Sequence, residues 1–302
     1  MIEITVWDVQ HGSATYIKTP NNRNIVVDLG DNGNDFSPLG ELYRRGIRQL
    51  DVVAVTHPHR DHMDDIYNLA LFNTQSFWTP WHLTERAIRA GNRAVDVSVV
   101  NRYLEIRNGC TFPVPAVNNL TVPANFGGVT FQVFQPRFCE DSNLNNHSLV
   151  MIVSYAGLKM VIPGDNESPS WNELLGDLNF IAAVRGADVL LAPHHGREAG
   201  WCSELFEAMG RPRLVLVSDG RFGDKSATDR YSRQASGWTV YDSAGTSDTR
   251  NCVTTRCDGH ITVKFGWHDI NNQAQGSFLN VTTSKLNTSA ILGRILSRGL
   301  VR

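Results

Sequence analysis

The chain has 302 residues, a formal net charge of −2 and the apolar and charged fractions of an ordinary globular protein. This length can bury a large core, in one big domain or two small ones. The near-neutral charge excludes a global basic field for nucleic acid or membranes, so an anionic substrate must meet local basic residues.

Short strands are predicted at the N-terminus, in "IEITVW", "ATYIK" and "NIVVD", because β-branched residues there are broken by Gly, Asn and Pro. A helix is predicted around "PLGELYRRG", followed by the strand "LDVVAV". Apolar spacing then predicts a helix over "DHMDDIYNLALF" and a longer one from about Leu83 to Ile106.

Strands resume at "VTFQVF", "SLVMIVSYA" and "KMVIPGD", and a helix over "SPSWNELLGDL" precedes the strand "DVLLAPHHG". The last third contains the strand patterns "RLVLVSDG", "GWTVYDS", "CVTTRC" and "HITVKF". Strands followed by helices, twice over, predict an α+β fold. We expect an αββα sandwich of two mixed β-sheets with helices on the outer faces.

The C-terminal part changes in character. Residues 271–290 are polar and predict a tether, and "ILGRILSRGLVR" predicts a short basic amphipathic helix. We therefore expect one domain at residues 1–270 and a tether with a helix at residues 271–302. The helix is expected to dock on the body, on a second copy in a homo-oligomer or on a partner protein. A membrane-surface role is the weaker alternative, because one short helix binds lipid weakly.

The five cysteines are scattered, odd in number and without CxxC spacing, which is typical of reduced thiols. The chain opens on a strand pattern rather than a secretion signal. No apolar stretch approaches the ~20 residues that span a bilayer. We therefore expect a cytoplasmic protein with no membrane insertion.

Ligand-type side chains gather where the predicted strands end. The string "THPHRDH" follows "LDVVAV", and its H-x-H spacing lets His57 and His59 share one ion, while Asp61 and His62 suit a second. Imidazole and carboxylate bind zinc, and also iron or manganese. A carboxylate such as Asp165, at the end of "VIPGD", can bridge two ions. The sequence therefore predicts a metal site.

These motifs resemble those of the metallo-β-lactamase superfamily, in order and over about residues 1–267. Within that superfamily, "DVQHGSA", "NNHSLVM", "LLAPHHG" and "LVLVSDG" are most similar to the hydrolase domain of ComEC-type DNA-uptake proteins. The resemblance implies two divalent ions, with Zn²⁺ expected and Mn²⁺ or iron as alternatives. It implies His57, His59 and His147 at the first ion, Asp61, His62 and His195 at the second, and Asp165 between them.

The resemblance also implies roles around the metal ligands. Asp28 would orient a ligand imidazole through its other ring nitrogen. Asp61 would orient a bridging hydroxide that attacks phosphorus. His194 would lie behind the ligands or protonate the leaving oxygen.

Departures from the family's pattern point to substrate contacts. The first turn, usually "GQGD" in the family, reads "QHGS" here and contains His11, and Arg197 follows "HHG" in place of serine. We group both with Arg221 and Lys225 of the basic stretch "RFGDKSATDRYSRQ" as expected substrate-binding residues. A solvated surface is the alternative for that stretch.

We therefore predict a dinuclear-zinc phosphodiesterase or nuclease that acts on a nucleic acid or nucleotide. Two alternatives stay open: a hydrolase of lactone, β-lactam or other ester bonds, and a metal-bearing component of a multi-protein defence or uptake system. The aromatic rings of Phe77, Trp78 and Trp81 in "SFWTPW" either stack on single-stranded bases or belong to the core.

Overall fold

The computed structural model describes residues 1–33, 35–110, 116–220, 226–270 and 273–285. Arg221, Lys225 and the predicted C-terminal helix lie outside these residues. Within them, no helix is long and apolar enough to cross a membrane. All five cysteines lie in the described part of the chain and are free thiols.

The strands are, in chain order, β1 (Ile2–Val6), β2 (Thr15–Lys18), β3 (Asn24–Val27), β4 (Gln49–Leu50), β5 (Val52–Ala54), β6 (Asn73–Thr74), β7 (Phe77–Trp78), β8 (Thr130–Phe134), β9 (Val150–Tyr155), β10 (Leu158–Ile162), β11 (Val189–Leu191), β12 (Leu214–Val217), β13 (Trp238–Tyr241), β14 (Ser247–Arg250), β15 (Cys252–Thr254), β16 (Ile261–Ile270) and β17 (Gln273–Thr283).

The α-helices are α1 (Pro38–Arg44), α2 (Glu85–Ala90), α3 (Val97–Gly109), α4 (Ser168–Leu174), α5 (Leu178–Val184), α6 (Ser203–Met209), α7 (Thr228–Gln234) and α8 (Thr255–Asp258). Short 3-10 helices occupy several loops, including Arg60–His62 and Pro193–Gly196.

Two mixed sheets form the centre of the described structure. One has nine strands in the order β14-β13-β17-β16-β1-β2-β3-β5-β7, and the other has six in the order β15-β12-β11-β10-β9-β8. One apolar core fills the space between the sheets. A second core lies under α1, α2 and α3, and a third lies under α4 to α7. These layers confirm the predicted αββα sandwich.

Strand β9 shows why the sheets are covered on both faces. Its residues Met151 and Val153 belong to the core between the sheets, whereas Val150 and Ile152 pack under the outer helices. Because successive strand side chains point to opposite faces, a continuous apolar run is what a strand buried on both sides requires.

The helices predicted between residues 60 and 106 differ from the observed ones. The stretch from Leu83 to Ile106 contains two α-helices, because α2 ends at Gly91 and the chain turns before α3. The stretch after His62 forms a 3-10 helix at Ile66–Leu71 rather than an α-helix. Met63, Ile66 and Leu69 are buried at a spacing of three, which suits three residues per turn.

The prediction of a tether from residue 271 is wrong for residues 273–283. These residues form β17, which pairs with β16 over Ile261 to Ile270 and with β13 on its other side. The predicted boundary at residue 270 therefore falls inside a β-hairpin. The polar side chains are misleading because they alternate with buried Leu279 and Val281.

We predict that Val281→Ala lowers the free energy of unfolding by about 2 kcal/mol, because it removes two buried methyl groups from the core between the sheets. Urea unfolding followed by circular dichroism measures the change. The matched control is Ser277→Ala, an exposed position on the same strand. A cost no larger than that of the control would mean that this segment is a solvated tether after all.

Candidate metal centre

The site lies on one rim of the sandwich because several loops meet there. The parallel strands β3 and β5 end at Val27 and Ala54, just before Asp28 and the His57–His62 loop. In the other sheet, the parallel strands β10 and β11 lead into Asp165 and His195. Sheet direction thus brings residues distant in sequence to the same edge.

Four of these side chains form a tight cluster. Ligand atoms of Asp61, His62, Asp165 and His195 all lie within 4.8 Å of one another. Among the described residues, this is the group of histidine and carboxylate side chains that could hold a metal ion. His62 Nε2 lies 3.3 Å from Asp165 Oδ1, and His195 Nε2 lies 3.2 Å from Asp165 Oδ2. His195 Nε2 is also 3.3 Å from Asp61 Oδ2. Asp165 thus lies between the two imidazoles.

Asp28 organises the loop that supplies two of these four residues. Its carboxylate accepts hydrogen bonds from the backbone N–H of Thr56 at 2.7 Å and from the Thr56 hydroxyl at 3.0 Å. It also faces His62 Nδ1 at 2.8 Å. A carboxylate accepts the Nδ1 proton, so the Nε2 lone pair of a neutral His62 points to Asp165.

The same reasoning gives the tautomers of two more histidines. The Thr56 hydroxyl donates its proton to Asp28, so it accepts from His57 Nδ1 at 3.3 Å and leaves His57 Nε2 as a lone pair. His195 Nδ1 lies 3.1 Å from the backbone carbonyl of Ser218, which can only accept. Both imidazoles therefore direct Nε2 into the site in the form that binds a metal.

The donor set fits a divalent cation. His62 Nε2 and His195 Nε2 are buried and make no well-aligned hydrogen bond, although carboxylate oxygens surround them. Buried polar atoms of this kind are rare unless a ligand or ion satisfies them. Two imidazole nitrogens and two carboxylates are a suitable set for Zn²⁺, Mn²⁺ or iron.

The electrostatics of the cluster point the same way. Burial opposes charge on His195, but the Asp165 and Asp61 carboxylates together outweigh burial and raise the pKa of His195 to about 9. Burial also opposes charge on His62, yet Asp165 and Asp28 raise its pKa well above the usual value. The buried carboxylates therefore favour positive charge between them, which a metal ion supplies when it displaces the imidazole protons.

The expected ligands of the first ion are less closely gathered. His57 Nε2 and His59 Nδ1 lie 3.0 Å apart. His147 is buried, but its Nδ1 lies 2.9 Å from His82 Nε2 and its Nε2 lies 3.2 Å from the carbonyl of Glu140. Both of its ring nitrogens are thus engaged with residues outside the expected ligand set.

His11 and Arg197 lie together against the cluster. His11 Nε2 is 3.3 Å from Asp61 Oδ2, and an Arg197 guanidinium nitrogen is 3.5 Å from His11 Nδ1. The turn that carries His11 approaches closely because Gly12 has φ +139°, and a Cβ there would lie 2.5 Å from the Asp61 carbonyl oxygen. More than half of the His11 side chain is exposed, at 57%.

His194 lies beside the cluster without joining it. Its Nδ1 is 3.0 Å from Glu167 Oε1, and its Nε2 is 3.9 Å from Asp165 Oδ2. The sequence reasoning missed Glu167, whose only signal is its position two residues after Asp165. His194, His195 and Asp28 all have positive φ, at +48°, +54° and +62°. Backbone strain of this kind concentrates at functional sites.

Comparisons with curated proteins find two relatives of partial coverage. The ComE operon protein 3 of Bacillus subtilis is 22% identical over 243 residues, covering 72% of this chain and 28% of that protein. A UPF0173 metal-dependent hydrolase of Polaromonas is 25% identical over 185 residues, covering 61% and 64%. The chain thus spans less than two thirds of the length of either relative. No family model matches.

Two solved structures illustrate the level of structural similarity. The metallo-β-lactamase fold protein YhfI of Bacillus subtilis is 14% identical, with a TM-score of 0.39 over 74% of this chain and 89% of that one. A long form RNase Z from yeast is 14% identical, with a TM-score of 0.40 over 74% and 38%.

The histidine and aspartate motifs occur in the superfamily's order, and the loops that carry them meet at one rim of an αββα sandwich. In motif order and in fold, the chain is similar to proteins of the metallo-β-lactamase superfamily. The two sheets form a rigid support, and the loops at one rim carry the candidate metal ligands.

A cavity of about 460 Å³ adjoins the cluster of Asp61, His62, Asp165 and His195, within the range of small-molecule sites. Apart from Gly91, the residues that line it have polar or charged side chains. It consists of His11, His59, Arg60, Asp61, Asp64, Gly91, Asn92, Arg93 and Asp96.

The aromatic stretch does not line this cavity. Phe77 is buried, and Trp78 and Trp81 pack against the cores on the two faces of the nine-stranded sheet. The three rings therefore belong to the packing of this metallo-β-lactamase fold rather than to an exposed stacking groove.

We predict that Asp28→Asn weakens Zn²⁺ binding about 10- to 100-fold, because an amide no longer fixes the Nδ1 proton of His62 by charge. Competition with a chromogenic chelator measures the affinity, and thermal unfolding checks that the protein is folded. Asp31→Asn, in the following loop, is the matched control. Equal affinities in the two variants would contradict the role given to Asp28.

Proposed function

We propose that the protein is a metal-dependent hydrolase that cleaves phosphodiester bonds with two divalent cations, Zn²⁺ in the first place. The cluster of Asp61, His62, Asp165 and His195 supports one cation site directly. His57, His59 and His147 are proposed for the other. Divalent cations at such sites supply Lewis acidity and a nucleophile at neutral pH.

The observation that carries the choice of substrate is the character of the cavity beside the cluster. Arg60 and Arg93 line it together with His11, and guanidinium groups suit a phosphate better than a neutral lactone or acyl chain. Asp96 pairs with both arginines and holds them in place. A phosphodiester with a polar substituent of about nucleotide size suits this lining.

The residues at the mouth then have separate tasks. Arg197, adjacent to His11, is proposed to bind a phosphoryl oxygen, since guanidinium groups match phosphate geometry. His194 is proposed to give a proton from Nε2 to the leaving oxygen. The Glu167 carboxylate would accept a hydrogen bond from His194 Nδ1 and so hold the ring in place. Asp61 is held from outside by His11, and this contact orients its carboxylate.

The similarity to part of the ComE operon protein 3 makes DNA one candidate substrate. RNA, a nucleotide or another small phosphodiester contains the same phosphodiester group and is also a candidate. The alternative of a metal-bearing component in a larger defence or uptake assembly depends on a tether and helix at residues 271–302. Because residues 273–283 form β17, most of the expected tether is part of the sheet, and this alternative loses support.

We predict that His59→Ala and Asp61→Ala each lower cleavage of bis(p-nitrophenyl) phosphate by at least about 100-fold, because each removes a group that holds metal in the site. His268→Ala, an exposed histidine of β16, should retain full activity.

The same preparations tested on nitrocefin and a lactone panel separate the alternatives. Turnover of these substrates without turnover of the phosphodiester would favour the ester hydrolase. Bound metal without turnover of any substrate would favour the assembly component.

We further predict that Arg197→Ala raises KM for the phosphodiester about tenfold, because it removes a charge-assisted hydrogen bond to phosphate. Arg197→Lys should recover part of the loss. Arg102→Ala removes a partly buried arginine that is paired with Glu105 on α3, away from the cluster, and serves as the control. An unchanged KM in Arg197→Ala would exclude this arginine from substrate binding.

A further inference from the structure

His82 contacts His147, which differs from the other metal-site histidines in the ring nitrogen that carries the proton. The described contacts of His57, His62 and His195 leave Nε2 as a lone pair, because an acceptor takes each Nδ1 proton. In His147 the pattern is reversed. Its Nε2 faces the Glu140 carbonyl at 3.2 Å, and a carbonyl can only accept. A neutral His147 therefore carries its proton on Nε2, which is the nitrogen that its three counterparts keep free.

The proton position at His147 determines the direction of a longer chain of hydrogen bonds. With Nε2 protonated, His147 Nδ1 accepts, so His82 Nε2 must donate across the 2.9 Å contact. His82 Nδ1 is then the acceptor, and the Gln135 amide N–H donates to it at 2.8 Å. Every group in this chain has a partner, and its direction is internally consistent.

We propose that His82 and Gln135 are positioning residues that act together with the Glu140 carbonyl to set the tautomer of His147, and that a cation at His147 Nε2 requires the whole chain to reverse. This inference rests on the proposed place of His147 in the first cation site. In the reversed state His147 Nδ1 donates to His82 Nε2, and His82 Nδ1 donates to the Gln135 amide oxygen. Each imidazole has one proton before and after the reversal. His147 releases its Nε2 proton and takes the Nε2 proton of His82 onto Nδ1, and His82 Nδ1 takes a proton from solvent.

The two cation sites therefore differ in their readiness. The cluster of Asp61, His62, Asp165 and His195 fills first, because Nδ1 of both imidazoles already faces an acceptor and a cation at Nε2 requires no change of tautomer there. The His57, His59 and His147 site fills second, since its third ligand changes tautomer and leaves the Glu140 carbonyl. Amide rotation at Gln135 decides when that change is favoured, because an amide can either donate or accept.

Gln135→Glu tests the chain because a carboxylate can only accept. It should hold His82 with its proton on Nδ1, and so hold His147 with a free Nε2 before any metal is added. We predict about tenfold tighter binding of the second Zn²⁺ than in the unaltered protein, a size typical of partners that orient a ligand. Gln132→Glu adds the same charge at an exposed position of β8 and is the matched control.

Two measurements read the result. Long-range ¹H–¹⁵N NMR of the metal-free proteins assigns the tautomers, and titration calorimetry with Zn²⁺ resolves the two binding steps. We expect an Nε2 proton on His147 in the unaltered protein and in Gln132→Glu, and an Nδ1 proton in Gln135→Glu. An Nδ1 proton on His147 in the unaltered metal-free protein, or an unchanged tautomer in Gln135→Glu, would overturn the proposal.

The same data separate this proposal from the proposed function. If His147 resonances do not change on saturation with Zn²⁺, then His147 is not a ligand and the dinuclear assignment fails. The tautomers of the metal-free proteins still decide whether His82 and Gln135 set the state of His147.

Discussion

The site depends on one constraint: a neutral imidazole has a single lone pair, and whichever nitrogen donates a hydrogen bond decides where it points. Asp28 applies this constraint to the central loop. It is 1% exposed and takes the backbone N–H and the hydroxyl of Thr56 together with His62 Nδ1. The Thr56 hydroxyl extends the same control to His57. One buried carboxylate thus aims two imidazoles into the site.

The surrounding backbone keeps this arrangement rigid. Asp28 and His195 adopt left-handed φ values that cost energy in non-glycine residues and persist only where packing fixes them. Gly12 allows the first turn to approach the Asp61 carbonyl, where no larger residue fits. Behind the loops, one apolar core fills the space between the two sheets. The sandwich therefore offsets the strain and the crowding of carboxylates at its rim, and a bound cation would offset the remaining charge.

The two halves of the site differ in how they are held. His195 Nδ1 faces a backbone carbonyl, whereas His147 has a backbone carbonyl at Nε2 and the side chains of His82 and Gln135 beyond Nδ1. A backbone carbonyl can only accept, and an amide side chain can donate or accept. In the proposed two-cation site, the half with His195 therefore needs no change of tautomer, whereas the half with His147 does. The polar cavity with Arg60 and Arg93 lies against the His59 side of the site.

Residue patterns alone were enough to predict the sandwich and the residue types of the site. Apolar runs such as "SLVMIVSYA" require burial on both faces, and "THPHRDH" at a strand end is too dense in ligands for an ordinary loop. Such patterns did not determine the end of the domain, because β17 hides its buried positions among polar residues.

The hydrogen-bond partner of each histidine ring nitrogen follows from the tertiary packing and not from the sequence pattern. His82 and Glu167 look ordinary in sequence, yet they lie at 2.9 Å from His147 and 3.0 Å from His194. Such contacts join residues 27 to 65 positions apart. A hydrogen bond depends on distances of tenths of an ångström between loops from different strands. Local spacing carries no information about those distances, and the packing of the two sheets sets them.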